Sequence, residues 1–127
     1  MFGRILAACL FAVWPGAVWA HVGLGPHGGP VTDAGPYWAE LVTRDKELEV
    51  FVFDQQNDTP IPTAAATGRA EVLIGEDKET VPLQPGTAAA EVNMMKGEAA
   101  KGAGSGARIV VLIQFPGKPA AVARFAI

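Results

Sequence analysis

Cysteine occurs once in the 127 residues, at Cys9, so no intrachain disulfide can form and no set of thiolates can hold a metal. Serine also occurs once, at Ser105 within a Gly- and Ala-rich stretch, which leaves no serine elbow for hydrolysis, and no phosphate-cradling P-loop is present. Positive charge is scarce: ten basic residues stand against thirteen acids, a net charge of −3 that does not invite nucleic acid. Long apolar runs are missing too, since none reaches the roughly 18 residues that a membrane-spanning helix needs. Histidine is confined to His21 and His27. These absences leave no catalytic constellation, and the chain reads as a non-enzyme.

The opening residues have the order of a secretory signal: one cation at Arg4, an apolar run from Ile5 to Trp14, a Pro15-Gly16 break, and the small-residue exit Ala17-Val18-Trp19-Ala20. Residues 1–20 are therefore expected to be a signal peptide, with a periplasmic or secreted product that begins at His21 and contains no membrane span. Leu6-Ala7-Ala8-Cys9 has the form of a lipoprotein acylation site, but cleavage there would leave a signal with almost no apolar core. Cleavage after Ala20 removes the only cysteine, and with Arg4 it shifts the net charge to −4. Stability must then come from packing.

From Tyr37 onward, apolar residues recur at the spacing of strands between Gly, Pro, Asn and Asp punctuation. Tyr37–Arg44 and Glu47–Gln55 read as a hairpin across Asp45-Lys46, with Leu48, Val50 and Val52 on one face and Phe51 and Phe53 on the other. Residues 56–67, with Pro60 and Pro62, read as a crossover. Further strands are expected at 68–74, 78–83, 88–95, 108–115 and after Pro116-Gly117-Lys118, with 97–107 as a flexible loop. The run Ile109-Val110-Val111-Leu112-Ile113 suits a strand covered on both faces. The fold class expected is all-β, a sandwich of about seven strands resembling immunoglobulin-like or cupredoxin-like domains, over residues 37–127.

Both histidines lie in a Gly/His-rich leader, residues 21–36, that opens His21-Val22-Gly23-Leu24-Gly25-Pro26-His27-Gly28-Gly29-Pro30. At a mature amino terminus, the α-amine and imidazole Nδ1 of His21 could close a chelate ring, and His27 would add a third nitrogen. Such donors can be unprotonated near neutral pH and suit Cu(II), Ni(II) and Zn(II). The glycines would let the two rings approach. Weaker candidates for a further ligand are Asp33, Glu40, Met94 and Met95, none singled out by spacing, and methionines in a strand more often fill a core. A leader of this composition can equally be a passive arm that enters the first strand.

Three segments carry a resemblance: Gly25-Pro26-His27-Gly28-Gly29-Pro30-Val31, Ala34-Gly35-Pro36-Tyr37-Trp38-Ala39-Glu40-Leu41-Val42, and Leu48-Glu49-Val50-Phe51-Val52-Phe53-Asp54, with the closing Ala123-Arg124-Phe125. In these the chain resembles small exported bacterial proteins encoded near heavy-metal efflux systems. The resemblance implies a periplasmic role in transition-metal handling, with His27 as the residue most directly matched. A fainter similarity is to periplasmic copper carriers and oxidative copper enzymes that use an amino-terminal histidine, which His21 would match. Those proteins take a second histidine from a distant strand, and this chain has none.

The expectation is thus a metal-binding protein of the periplasm, copper first among the candidate ions, that buffers or delivers its ion and has an envelope efflux component as partner. The alternative is a metal-free β-sandwich interaction module that docks on a cell-envelope protein. Exchange of His27 separates the two, because only a metal carrier would lose its ligand with it.

Overall fold

Alternation of aliphatic and polar side chains forces the chain into strands that bury every second residue. The computed structural model describes residues 23–127, so the expected signal segment and His21 lie outside the described residues. Eight strands follow: β1 (Val31–Ala34), β2 (Tyr37–Arg44), β3 (Glu47–Asp54), β4 (Thr67–Ile74), β5 (Asp77–Pro85), β6 (Met94–Glu98), β7 (Arg108–Gln114) and β8 (Ala121–Ala126). All neighbours pair antiparallel, in the order β1-β2-β3-β6-β5-β4-β7-β8. The two ends of this order, β1 and β8, come close to one another, so the all-β sandwich is nearly closed into a barrel.

The expected hairpin across Asp45-Lys46 is present, with Asp45 in the left-handed region at φ 55°. Leu48, Val50 and Val52 enter the main core between the sheets with Leu41, Met95, Ile109 and Val111. On the opposite face of β3, Phe51 and Phe53 form a second cluster with Trp38 and Met94. β3 is therefore buried on both sides, as its composition suggests.

Four details differ from the sequence-based expectation. An eighth strand, β1, arises within the leader, because Gly35 at φ 67° turns the chain back and lets Val31–Ala34 pair with β2. Residues 88–95 are not one strand: Ala89–Glu91 form a single 3₁₀ turn, and β6 begins only at Met94. The Glu91 carboxylate holds that turn by accepting from the backbone N–H groups of Thr87 and Ala88, at 3.1 and 3.2 Å, while the alanines offer nothing large for a strand to bury.

Residues 97–107 are not a free loop either. Gly97 and Glu98 continue β6, and Ala99, Ala103 and Ala107 are buried in the main core. Gly97 has no room for a side chain, since a Cβ would run into the Pro82 carbonyl oxygen where β6 packs on β5. Finally, β7 is covered on one face only. Ile109, Val111 and Ile113 are buried, whereas Val110 and Leu112 on the outer face are half-buried.

Candidate metal centre

The leader residues that the structure describes are fastened to the sheet. Gly25 N–H donates to the Gly29 carbonyl at 2.8 Å and Gly28 N–H to the Gly25 carbonyl at 3.0 Å, closing a tight turn around His27. Gly28 sits at φ 84°, a backbone conformation that glycine adopts without steric penalty. The turn rests on β2, where Leu41 N–H donates to the Pro30 carbonyl at 3.0 Å.

Glu40, fully buried on β2, is the anchor of this turn. Its Oε2 accepts from the backbone N–H of His27 at 2.8 Å and of Gly29 at 2.9 Å, and its Oε1 lies 2.8 Å from His27 Nδ1. All three partners are donors to a carboxylate, which is the arrangement that makes a buried carboxylate tolerable. The close fit leaves no space at two of the glycines: a Cβ on Gly25 would sit 2.5 Å from Glu40 Cδ, and one on Gly29 would run into the Leu41 carbonyl oxygen.

The His27 ring lies flat on Phe51 of β3, with centroids 3.7 Å apart and planes at 12°. Phe51 is the cross-strand partner of Glu40, so carboxylate and aromatic platform come from facing positions of one hairpin. Because an ionised carboxylate can only accept, Nδ1 carries the proton in the neutral ring and Nε2 keeps its lone pair. Nε2 has no hydrogen-bond partner among the described residues, and the side chain remains 38% exposed. A single imidazole nitrogen is thereby held in fixed orientation at the surface.

The other candidates are placed differently. Glu40 has both oxygens engaged by the leader, so it orients His27. Asp33 on β1 accepts from Gln55 Nε2 at 2.8 Å and faces Trp38 across the ladder. Met95 is fully buried between the sheets, and Met94 packs into the aromatic cluster as the cross-strand partner of Phe51. Among the described residues, no group of three His, Cys, Asp or Glu side chains could hold a metal ion. A groove of about 440 Å³ lies away from the leader, lined by Ile74, Lys78, Glu79 and Lys101 among others.

Glu40 as anchor was not read from the sequence, although a signal was available. Trp38, Glu40 and Val42 share a face of β2, and an acid set within an apolar stripe needs internal donors. The leader segment Gly23-Leu24-Gly25-Pro26-His27-Gly28 also has the glycine spacing of a dinucleotide-binding loop. It leads into strand β1, where that fingerprint needs a helix. No protein-family model matches the chain. No curated protein matches it. No solved structure matches it either, and the chemistry of the site is read from His27, Glu40 and Phe51 themselves.

Proposed function

We propose that this is an exported protein that binds a transition-metal ion through its leader, copper first among the candidates, and buffers it or delivers it to an efflux component of the cell envelope. The observation that carries the reading is the contact between His27 Nδ1 and the buried Glu40 carboxylate at 2.8 Å. A metal-ligating histidine commonly gives its other ring N–H to a carboxylate, which fixes the tautomer and raises the basicity of the ligating nitrogen. His27 Nε2 would be one ligand, and the α-amine and Nδ1 of His21 would supply the rest once residues 1–20 are removed. Nitrogen donors of this kind suit Cu(II), Ni(II) and Zn(II), and release would proceed by ligand exchange with a partner.

The test is titration of Cu(II), and separately Zn(II), into the protein with a verified His21 amino terminus, read by calorimetry and electron paramagnetic resonance. One tight equivalent with a nitrogen-rich copper spectrum is expected, lost in His27→Ala. Glu40→Gln is the sharper variant. An amide nitrogen facing His27 Nδ1 favours the tautomer with the proton on Nε2, so the fold stays and metal affinity drops by about 10–100-fold. Equal binding by wild type, His27→Ala and Glu40→Gln would remove His27 from the metal chemistry and with it the reading that rests on its contact with Glu40.

The alternative reading, a metal-free module that docks on another envelope protein, is favoured by one observation: every contact of His27 among the described residues also serves to hold the leader on the sheet. In that case the variants change stability and nothing else.

A further inference from the structure

The outer face of β4, β7 and β8 carries more aliphatic surface than a solvated sheet face needs. Along β7 the outward residues are Arg108, Val110, Leu112 and Gln114, and register places Val122 beside Leu112 and Arg124 beside Val110. On β4, Leu73 joins them as the neighbour of Arg108, with Glu71 beside Val110 and Arg69 beside Leu112. Leu73, Val110, Leu112 and Val122 are all half-buried, with no element of the described chain laid over them. An antiparallel sheet with one wet face normally alternates apolar inward with polar outward, and β7 breaks that rule.

Charge on this face is equally out of keeping with the chain. The protein is acidic overall, yet Arg108 and Arg124 are exposed and neither has an ion pair among the described residues. The other two described arginines have acids near: Arg44 stands 3.2 Å from Glu49, and Arg69 stands 3.9 Å from Glu71. Arg108 and Arg124 sit on adjacent strands two register positions apart, within reach of one another's ligands. They flank a shallow depression of about 370 Å³ whose lining includes Leu73 and Val110.

We infer that this face is a docking surface for a different protein, one that presents aliphatic side chains rimmed by carboxylates. Arginine beside aliphatic residues, with lysine sparse, is the composition of protein interfaces. A lipid surface is less well matched, because the face has no outward aromatic residue to sit at the headgroup level. A symmetric contact between two copies would bring one positive face against another, because Glu71, the carboxylate set beside Val110, already stands 3.9 Å from Arg69 and 3.8 Å from Lys78. A partner with paired carboxylates would instead meet both guanidinium groups in bidentate geometry. The surface lies on the opposite sheet from His27, so the inference stands whether or not the leader binds metal.

The experiment places a photo-activatable crosslinking residue at Leu112, with the exposed Gln56 in the turn after β3 as control position, in the full chain within the cells that make it. Adducts are mapped by mass spectrometry. A protein adduct at position 112, absent at 56, whose crosslinked segment contains Asp or Glu is expected, with yield reduced at least about tenfold in Arg108→Glu/Arg124→Glu. Exchange of the partner's carboxylates for lysine should then restore the adduct with the reversed chain. If the charge-reversed chain melts early, Arg108→Gln/Arg124→Gln takes its place. No adduct, an adduct indifferent to charge, binding to phosphatidylglycerol vesicles in its place, or self-association in sedimentation would each overturn the proposal.

Discussion

At the scale of single residues, Glu40 decides how the leader is held. Its two oxygens satisfy two backbone N–H groups and one ring N–H. Glu40→Leu leaves the buried Gly29 N–H without an acceptor, at a cost of about 1–3 kcal/mol, and takes from the part-buried His27 donors the acceptor that holds them. Thermal unfolding should show the loss, and hydrogen exchange at the amides of His27 and Gly29 should accelerate more than in the main core. Gly29→Ala is expected to act on the same contact from the other side. Its new methyl meets a backbone oxygen that cannot rotate away, so the turn must lift from β2, with a penalty of about 1–3 kcal/mol. Gly28→Ala leaves open space around the new methyl, and its strain comes from the φ of 84° alone. The histidines were visible in the sequence because only two exist. Glu40 was visible only as a weaker candidate ligand, and its role behind His27 was not, because the contact joins residues 13 apart across the Gly35 turn.

At the scale of elements, β7 tests which faces of the sandwich carry stability. Ile109 is fully buried and Leu112 is half-buried. Ile109→Ala should cost about 2–5 kcal/mol, and Leu112→Ala less than about 1 kcal/mol, as read from denaturant midpoints. Equal losses would mean that the outer face of β7 is covered in the isolated chain. The unbroken aliphatic run of β7 gives no clue to this difference, because composition alone does not say whether a second layer exists. Hairpins with short turns were legible for the opposite reason, since Asp45-Lys46 and Gly75-Glu76-Asp77 lie between well-patterned strands, although β5 begins at Asp77, one residue earlier than expected. The alanine-rich segments before β6 and after it were not, because alanine fits a tight turn, a strand or a packed loop with little preference between them.

β3 also carries a pH signature. A side-chain hydrogen bond with Glu49, then burial and the Glu49 charge, hold the Glu47 carboxyl above the ordinary carboxylate range, while Lys96 and Arg44 pull it down. A carboxyl raised by folding contributes stability that is complete below its unfolded pKa and lost as pH rises through the folded value. Glu47→Gln should therefore flatten the fall in stability as pH rises from the ordinary glutamate value through the raised value of the folded state. Unfolding midpoints of the two proteins across that range provide the check. A steeper fall in the variant would contradict the assignment.

At the scale of the whole molecule, the strand order β1-β2-β3-β6-β5-β4-β7-β8 brings together segments far apart in the chain. β3 pairs with β6 across some forty residues, and β4 lies between β5 and β7, so neither half of the sandwich is built from consecutive chain. Fold class was legible in the sequence because periodicity reports burial one strand at a time. Strand order was not, since pairing partners are chosen by which faces fit after collapse.

The fastening of the leader to β2 makes ligand binding and global unfolding two readings of one equilibrium. A metal ion held by a free arm would bind the folded and the unfolded chain alike and leave the melting temperature where it was. An ion held by a histidine that Glu40 orients only in the folded state must stabilise that state, by about 2.7 kcal/mol at a hundred times its dissociation constant. A rise in melting temperature with added copper, reduced in Glu40→Gln, would therefore measure how much of the site's affinity belongs to the sheet beneath it.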